Sequence, residues 1–178
     1  MNRFLLTFSL LLIISSYIFT QEAFSEVPDS FGKIVLGMSM EDAGKEISAN
    51  GNLNYRGSQD LSILRRPNEA LIECRGYDFI DRAFFQFKDD KLYSITILFN
   101  QELLDHFSLF TTLRGKYGNP QKLNPEKSQW ESESNYLVLE RPLQIKYLDR
   151  NIFEGIVSDS NISESLSELS REQFLDQF

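Results

Sequence analysis

The stretch Arg82–Asn100, RAFFQFKDDKLYSITILFN, decides the fold. Ala83, Phe85 and Phe87 lie on one face of a strand, and Tyr93, Ile95, Ile97 and Phe99 lie on one face of the next. Side chains alternate with period two, so the turn between the strands must keep both apolar sets on one side. A two-residue loop at Asp89-Asp90 pairs Phe87 with Leu92 and throws the sets onto opposite faces. A three-residue loop, Lys88-Asp89-Asp90, pairs Phe85 with Tyr93 and Ala83 with Ile95, and it places Asp90 where a left-handed residue is needed and Asp is tolerated. The expectation is a three-residue hairpin with Phe84 on its outer face.

An aromatic face of this kind needs a cover, and a capped helix precedes it. In LGMSMEDAGKEISANG, Leu36–Gly51, Ser39 is placed to cap the first turn and Asp42 to reach back as in a capping box. Glu41 and Asp42 complement the helix dipole. Met40, Ala43 and Ile47 form a narrow apolar stripe, and Asn50-Gly51 reads as a left-handed stop. So short a helix is stable only when its stripe packs on something.

The same device recurs downstream. A second helix is expected over 101–117, with Leu103, Phe107, Phe110, Leu113 and Tyr117 turned inward, Arg114 and Lys116 in the last turn, and Gly118 and Pro120 as the stop. Three strands follow in SQWESES, YLVLERP and LQIKYLD; a turn at Ser134-Asn135 sets Trp130 opposite Leu139. The fold class read from these patterns is α+β: two helix-plus-antiparallel-meander units with their helices on one face of the sheet, over 26–100 and 101–158. A C-terminal amphipathic helix or tail over 159–178 follows, capped by Ser160 or Asn161 and patterned by Ile162, Leu166, Leu169 and Phe174. Asn161-Ile162-Ser163 also matches a glycosylation acceptor, a pattern short enough to arise by chance.

At the other end, Arg3 precedes an uncharged apolar run from Phe4 to Gln21, and Ala23-Phe24-Ser25 has the small-x-small form of a cleavage site. Residues 1–25 are read as a secretory signal peptide, with an uncleaved anchor as the competing reading. The leader has no cysteine to carry a lipid, so no lipid anchor and a periplasmic or secreted chain are expected. The net charge of -8 repels phosphate backbones and does not suit a nucleic-acid partner. Cys74 is the sole cysteine, which rules out an internal disulfide; its alternation with Glu73 and Arg75 places the thiol on a buried face.

Catalytic patterns are scarce. His106 is the single histidine, at the edge of the second helix's stripe, and no metal spacing, nucleophile elbow or Gly-rich phosphate loop is present. Glu41-Asp42, Asp89-Asp90 and Glu131-Glu133 are the residue types that glycoside hydrolysis uses, but a helix start, a turn and an outer strand face account for them. No cofactor is expected. The positive signal is aromatic content, with 15 Phe, 7 Tyr and 1 Trp. Tyr55, Tyr77, Phe84 and Tyr136 fall on the predicted solvent side or in connecting segments and are the candidate anchors for a protein partner.

Gly37-Met38-Ser39-Met40-Glu41-Asp42-Ala43 resembles the G-M-[ST]-x-x-[QE]-[VA] helix start of the SmpA/OmlA family of small outer-membrane assembly proteins. FQFKDDKLYSITILF resembles that family's closing strands, and LRGKYGNP its helix end before a meander. The tandem order is similar to the β-lactamase-inhibitor-protein fold. The resemblance implies a compact α+β module that binds protein. Members of that family are single-unit lipoproteins, so no functional residue carries over by position. The expected function is an exported, non-catalytic protein-binding or scaffolding module of the bacterial cell envelope, acting on another envelope or periplasmic protein. A carrier of a small apolar ligand is the alternative, and a hydrolase stands behind both.

Overall fold

A computed structural model describes residues 24–63 and 68–160. Residues 1–23 of the expected leader and the helical spacing that begins at Ile162 lie outside the described residues, as does the Asn161 acceptor pattern. A short hairpin, β1 (Ser30–Phe31) and β2 (Ile34–Val35), leads into α1 (Met40–Ala49), β3 (Leu53–Asn54), a single 3-10 turn (Gly57–Gln59) and β4 (Leu61–Ile63). The long strands β5 (Glu69–Gly76), β6 (Ile80–Lys88) and β7 (Lys91–Phe99) follow, then α2 (His106–Tyr117). Strands β8 (Lys122–Leu123), β9 (Lys127–Glu131), β10 (Asn135–Glu140) and β11 (Gln144–Asp149) come next, and α3 occupies 150–160.

All strands from β3 onward form one antiparallel sheet in the order β3-β5-β6-β7-β11-β10-β9-β8, with β4 also on β5. The strands that close the two halves, β7 and β11, are therefore neighbours, and Ile97 lies opposite Ile145. That pairing puts the two halves' apolar rows on one face. There α1 buries Ala43 and Ile47 against Ile72, Phe85, Phe87, Ile95 and Ile97, while α2 brings Leu109, Phe110 and Leu113 against Trp130, Leu137, Leu139 and Ile145. Phe99 and Tyr147 touch both clusters, so the two helices share one continuous core. The opposite face is covered in part by α3, whose Phe153 packs on Tyr136, Val138 and Leu148.

The central hairpin solves its parity problem differently from the three-residue loop expected for it. Lys88 pairs with Lys91, and Asp89 and Asp90 form a two-residue turn at φ values of 50 and 60, the doubly left-handed geometry that matches strand twist. Phe87 then faces Leu92, and a bulge follows: Gln86 pairs with Ser94 and Phe85 with Ile95, leaving Tyr93 as the extra residue. The bulge shifts the register by one, so Phe87, Phe85, Leu92, Ile95 and Ile97 are all buried on the same side. Ala83 consequently faces Ile97 rather than Ile95. Asp90 also accepts from the Met40 N–H at 3.0 Å, which fastens the turn to the start of α1.

Ser39 caps α1 as expected, accepting from the Asp42 N–H at 3.1 Å. The stop is not left-handed: Asn50 has φ -82, and its side chain accepts from the Asn52 N–H instead. In α2 the expected start at Gln101 is wrong. Asn100 closes a separate turn over 101–103, and Asp105 caps the helix by accepting from Ser108 N–H at 2.9 Å. Leu103 and Phe107 thus lie before and within the first turn and point away from the core, with 54% and 76% of their surface exposed. Gly118 does close this helix, at φ 76.

Two further expectations shift. Ser132 and Asn135 close the β9–β10 turn, so Trp130 faces Leu137, not Leu139; the offset is two residues and leaves every side chain on its expected face. The last helix begins at 150, where Asp149 caps it through the Ile152 N–H, and Ser160 lies within it rather than capping it. The boundary expected at 158–159 therefore falls inside α3.

Candidate functional site

The structure does not gather the four aromatic candidates into one surface. Tyr55 is half-buried against the first core cluster, with its hydroxyl oxygen over Gly44. Phe84 does lie on the outer face, half-covered between Glu73 and Thr96 on the flanking strands. Tyr136 is only 7% exposed, a correction to its expected place on the solvent side. It is covered by α3: its hydroxyl donates to Glu154, and the Arg150 guanidinium stands 5.3 Å from its ring centre. Tyr77 is open to solvent, 49% exposed.

Tyr77 has company that the sequence reading assigned elsewhere or passed over. The turn between β5 and β6 carries Tyr77 and Phe79, the latter 56% exposed. The link from β7 to α2, with the first turn of α2 that continues it, carries the other two: Leu103 in the link and Phe107 in the turn. These two segments meet at one end of the sheet, because the Asn100 N–H donates to the Phe79 carbonyl at 2.9 Å, and Leu103 N–H in turn donates to the Asn100 carbonyl at 3.2 Å. Among the described residues, four of the seven large apolar side chains that stand open belong to these two segments. Scattered surface apolar residues need no explanation, whereas a concentration of them at one place does. The sequence signal for the exposed Leu103 was Asp105 with Ser108, a cap that leaves Leu103 outside the helix. Phe107, inside the first turn, stands about 120° around the helix from Leu113 and so off the buried stripe.

A second feature is a groove of about 630 Å3 on the outer face, between the sheet and α3. Val138, Leu148, Phe153 and Ile156 form its apolar side, and Lys127, Lys146 and Glu140 its polar floor. Lys146 is paired with Glu140, and neighbouring Lys122 with Glu131 at 2.8 Å. The row Thr96, Lys146, Val138, Gln129 crosses four strands, the mixed pattern of an antiparallel face half in water.

Several titratable groups have structural partners. Burial pushes the Cys74 thiol up to about 12, with the carboxylates of Asp60 and Glu73 adding to the shift, so the thiol stays protonated at neutral pH. Asp60 is itself buried at β5's edge, where its carboxylate accepts from the Arg56 backbone N–H at 2.7 Å and from its guanidinium Nε at 2.9 Å. Partial burial and the Arg141 charge lower His106 below its ordinary value, against an opposing pull from Asp105. Asp42 is lowered by Lys45 and Ser39, while Asp89 accepts from Asn68. Among the described residues no group of three or more His, Cys, Asp or Glu side chains is placed to hold a metal ion, and no helix is long and apolar enough to cross a membrane.

Fold and surface together define a small α+β protein: a large antiparallel sheet beside a two-stranded hairpin, helices on both faces of the large sheet, and exposed apolar side chains at one end. Within that class, the TP0088 domain family matches residues 29–159, and the chain belongs to it. No curated protein and no solved structure matches the chain.

Proposed function

We propose that this chain is an exported, non-catalytic protein-binding module of the bacterial cell envelope. The observation that carries the reading is the exposed set Tyr77, Phe79, Leu103 and Phe107, held on two hydrogen-bonded segments at the end of a rigid sheet. Aromatic side chains fixed on a scaffold lose little entropy on docking and are the usual anchors of protein interfaces. The apolar leader supports export, and the protonated Cys74 and capped or paired carboxylates support a role without catalysis. The order helix–meander–helix–meander, with β7 and β11 adjacent, supports a tandem arrangement of the SmpA/OmlA or β-lactamase-inhibitor-protein kind.

The test is affinity capture from an envelope extract with the exported chain and with a Phe79→Ser/Phe107→Ser variant. A partner retained by the first and lost by the second is the expected result; the absence of any patch-dependent partner across salt conditions removes the reading. The groove beside α3 favours a second reading, a carrier of a small apolar ligand. Native mass spectrometry of gently purified protein separates the two, because a carrier retains a bound small molecule. A hydrolase remains the third reading, and unchanged hydrolysis after replacing His106 and the acidic pairs removes it.

A further inference from the structure

We infer that the apolar end of the sheet takes a basic partner: a segment of another protein that presents apolar side chains flanked by lysine or arginine. The inference rests on the reading of this chain as a protein-binding module and adds the partner's chemistry. Each apolar residue of the patch has an exposed carboxylate close by in sequence: Asp78 lies between Tyr77 and Phe79, Asp81 follows Phe79, Glu102 precedes Leu103, and Asp105 lies between Leu103 and Phe107. The Asn100–Phe79 and Leu103–Asn100 backbone hydrogen bonds bring the two acidic segments together as they do the apolar ones. Positive charge at this end comes from Arg75, exposed two residues before Tyr77, and from Arg82 and Arg141. Arg82 is engaged by Glu73 at 2.9 Å, and Arg141 donates to the Pro125 carbonyl while its charge is felt at His106.

An apolar centre whose rim carries four carboxylates against Arg75 and Arg141, with Arg82 held by Glu73, favours a basic partner by charge. A second copy of this chain brings the same acidic rim against itself, and like charges at contact distance disfavour the pair. Anionic lipid headgroups meet the same repulsion, reinforced by the net charge of -8. A lysine- or arginine-flanked apolar segment gains on both counts, through burial of the aromatics and through steering over a Debye length of about 8 Å at physiological salt.

Two synthetic peptides test this, identical in their Leu and Phe positions and carrying Lys in one and Glu in the other at the flanking positions. Binding to the exported chain is read by fluorescence anisotropy at two salt concentrations, beside phosphatidylglycerol vesicles and sedimentation equilibrium of the chain alone. The Lys peptide is expected to bind and to weaken on the order of tenfold with Phe79→Ser/Phe107→Ser. It is expected to weaken severalfold with Asp78→Asn/Glu102→Gln and with added salt, and to be unchanged by Glu41→Gln/Glu133→Gln, exposed carboxylates outside the two segments. Native Trp130 emission in each variant shows that the fold is retained. Loss of binding in the Phe variant with no response to the Asp78/Glu102 variant or to salt overturns the inference and leaves the protein-binding reading standing. Equal binding of the Glu peptide overturns it in the same way. No patch-dependent binding of the Lys peptide overturns the inference, as does patch-dependent self-association or vesicle binding.

Discussion

Trp130 donates its indole N–H to the carbonyl of Gly118 at 2.9 Å, joining the fully buried centre of β9 to the left-handed residue that ends α2. Phe110 of the same helix packs on the indole with ring centres 6.2 Å apart. One side chain therefore holds both the end and the inner face of α2 to the sheet.

Trp130→Phe removes the donor, leaves the Gly118 carbonyl to find water, and opens space beside Phe110. The expected cost is about 1 to 3 kcal/mol, read from urea unfolding. Because Trp130 is the one tryptophan and is fully buried, native emission is at short wavelength and moves to the red on unfolding. Red native emission contradicts this packing.

Gly76 closes the approach of β5 to the turn that carries Tyr77 and Phe79. A Cβ there lies 2.3 Å from Ile80 Cγ2 and 2.5 Å from the Ile80 carbonyl oxygen. Gly76→Ala must displace backbone and is expected to destabilise by about 1 to 3 kcal/mol. Gly115, inside α2 with nothing within 4 Å of its Cβ position, is the contrast: Gly115→Ala stabilises by about 0.4 to 1 kcal/mol. Equal effects at the two sites in thermal denaturation contradict this account.

The Tyr136–Glu154 hydrogen bond makes the docking of α3 depend on pH. The phenol donor, with help from Arg150, holds the Glu154 carboxyl below its ordinary range, and the carboxylate in turn raises Tyr136. A carboxylate lowered in the folded state contributes stability above its unfolded value and loses it as pH falls through the folded one. Amide exchange over 150–160, corrected for intrinsic rate, is expected to hold near neutrality and to accelerate below about pH 4. Glu154→Gln removes that dependence; an unchanged acid response in the variant assigns it to another group.

Cys74 is expected to be inert while the chain is folded. With its thiol raised to about 12, the native protein at pH 8 reacts with a disulfide reagent more slowly than the urea-unfolded chain, on the order of a thousandfold. Burial contributes first and the Asp60 and Glu73 carboxylates second. Comparable rates in the two states contradict the buried placement.

Much of the sheet was legible because period-two alternation survives small errors of turn. The β9–β10 turn lies one residue from its expected place, and Trp130, Leu137 and Leu139 still face the core. The Lys88–Lys91 turn was misread for the opposite reason. Parity showed that the register must shift by one, but a longer loop and a bulge at Tyr93 supply the same shift, and alternation cannot tell them apart. In the patch the error was one of phase. Leu103 and Phe107 have the four-residue spacing of a helix face, yet the helix starts at His106 under an Asp105 cap that leaves Leu103 outside it, and Phe107 stands about 120° around the helix from the buried Leu113.

Local periodicity and capping chemistry made the two inner-face helices, the strands β5–β7 and β9–β11 and their buried faces readable in the sequence, whereas β1–β4 and β8, two or three residues long, carry no such pattern. Long-range packing settled that β7 and β11 join the halves into one sheet, that α3 covers Tyr136, and that Tyr77, Phe79, Leu103 and Phe107 emerge at one end. Those outcomes depend on contacts between residues far apart in the chain. Several arrangements satisfy the same local pattern, and the burial energy of the assembled core selects among them.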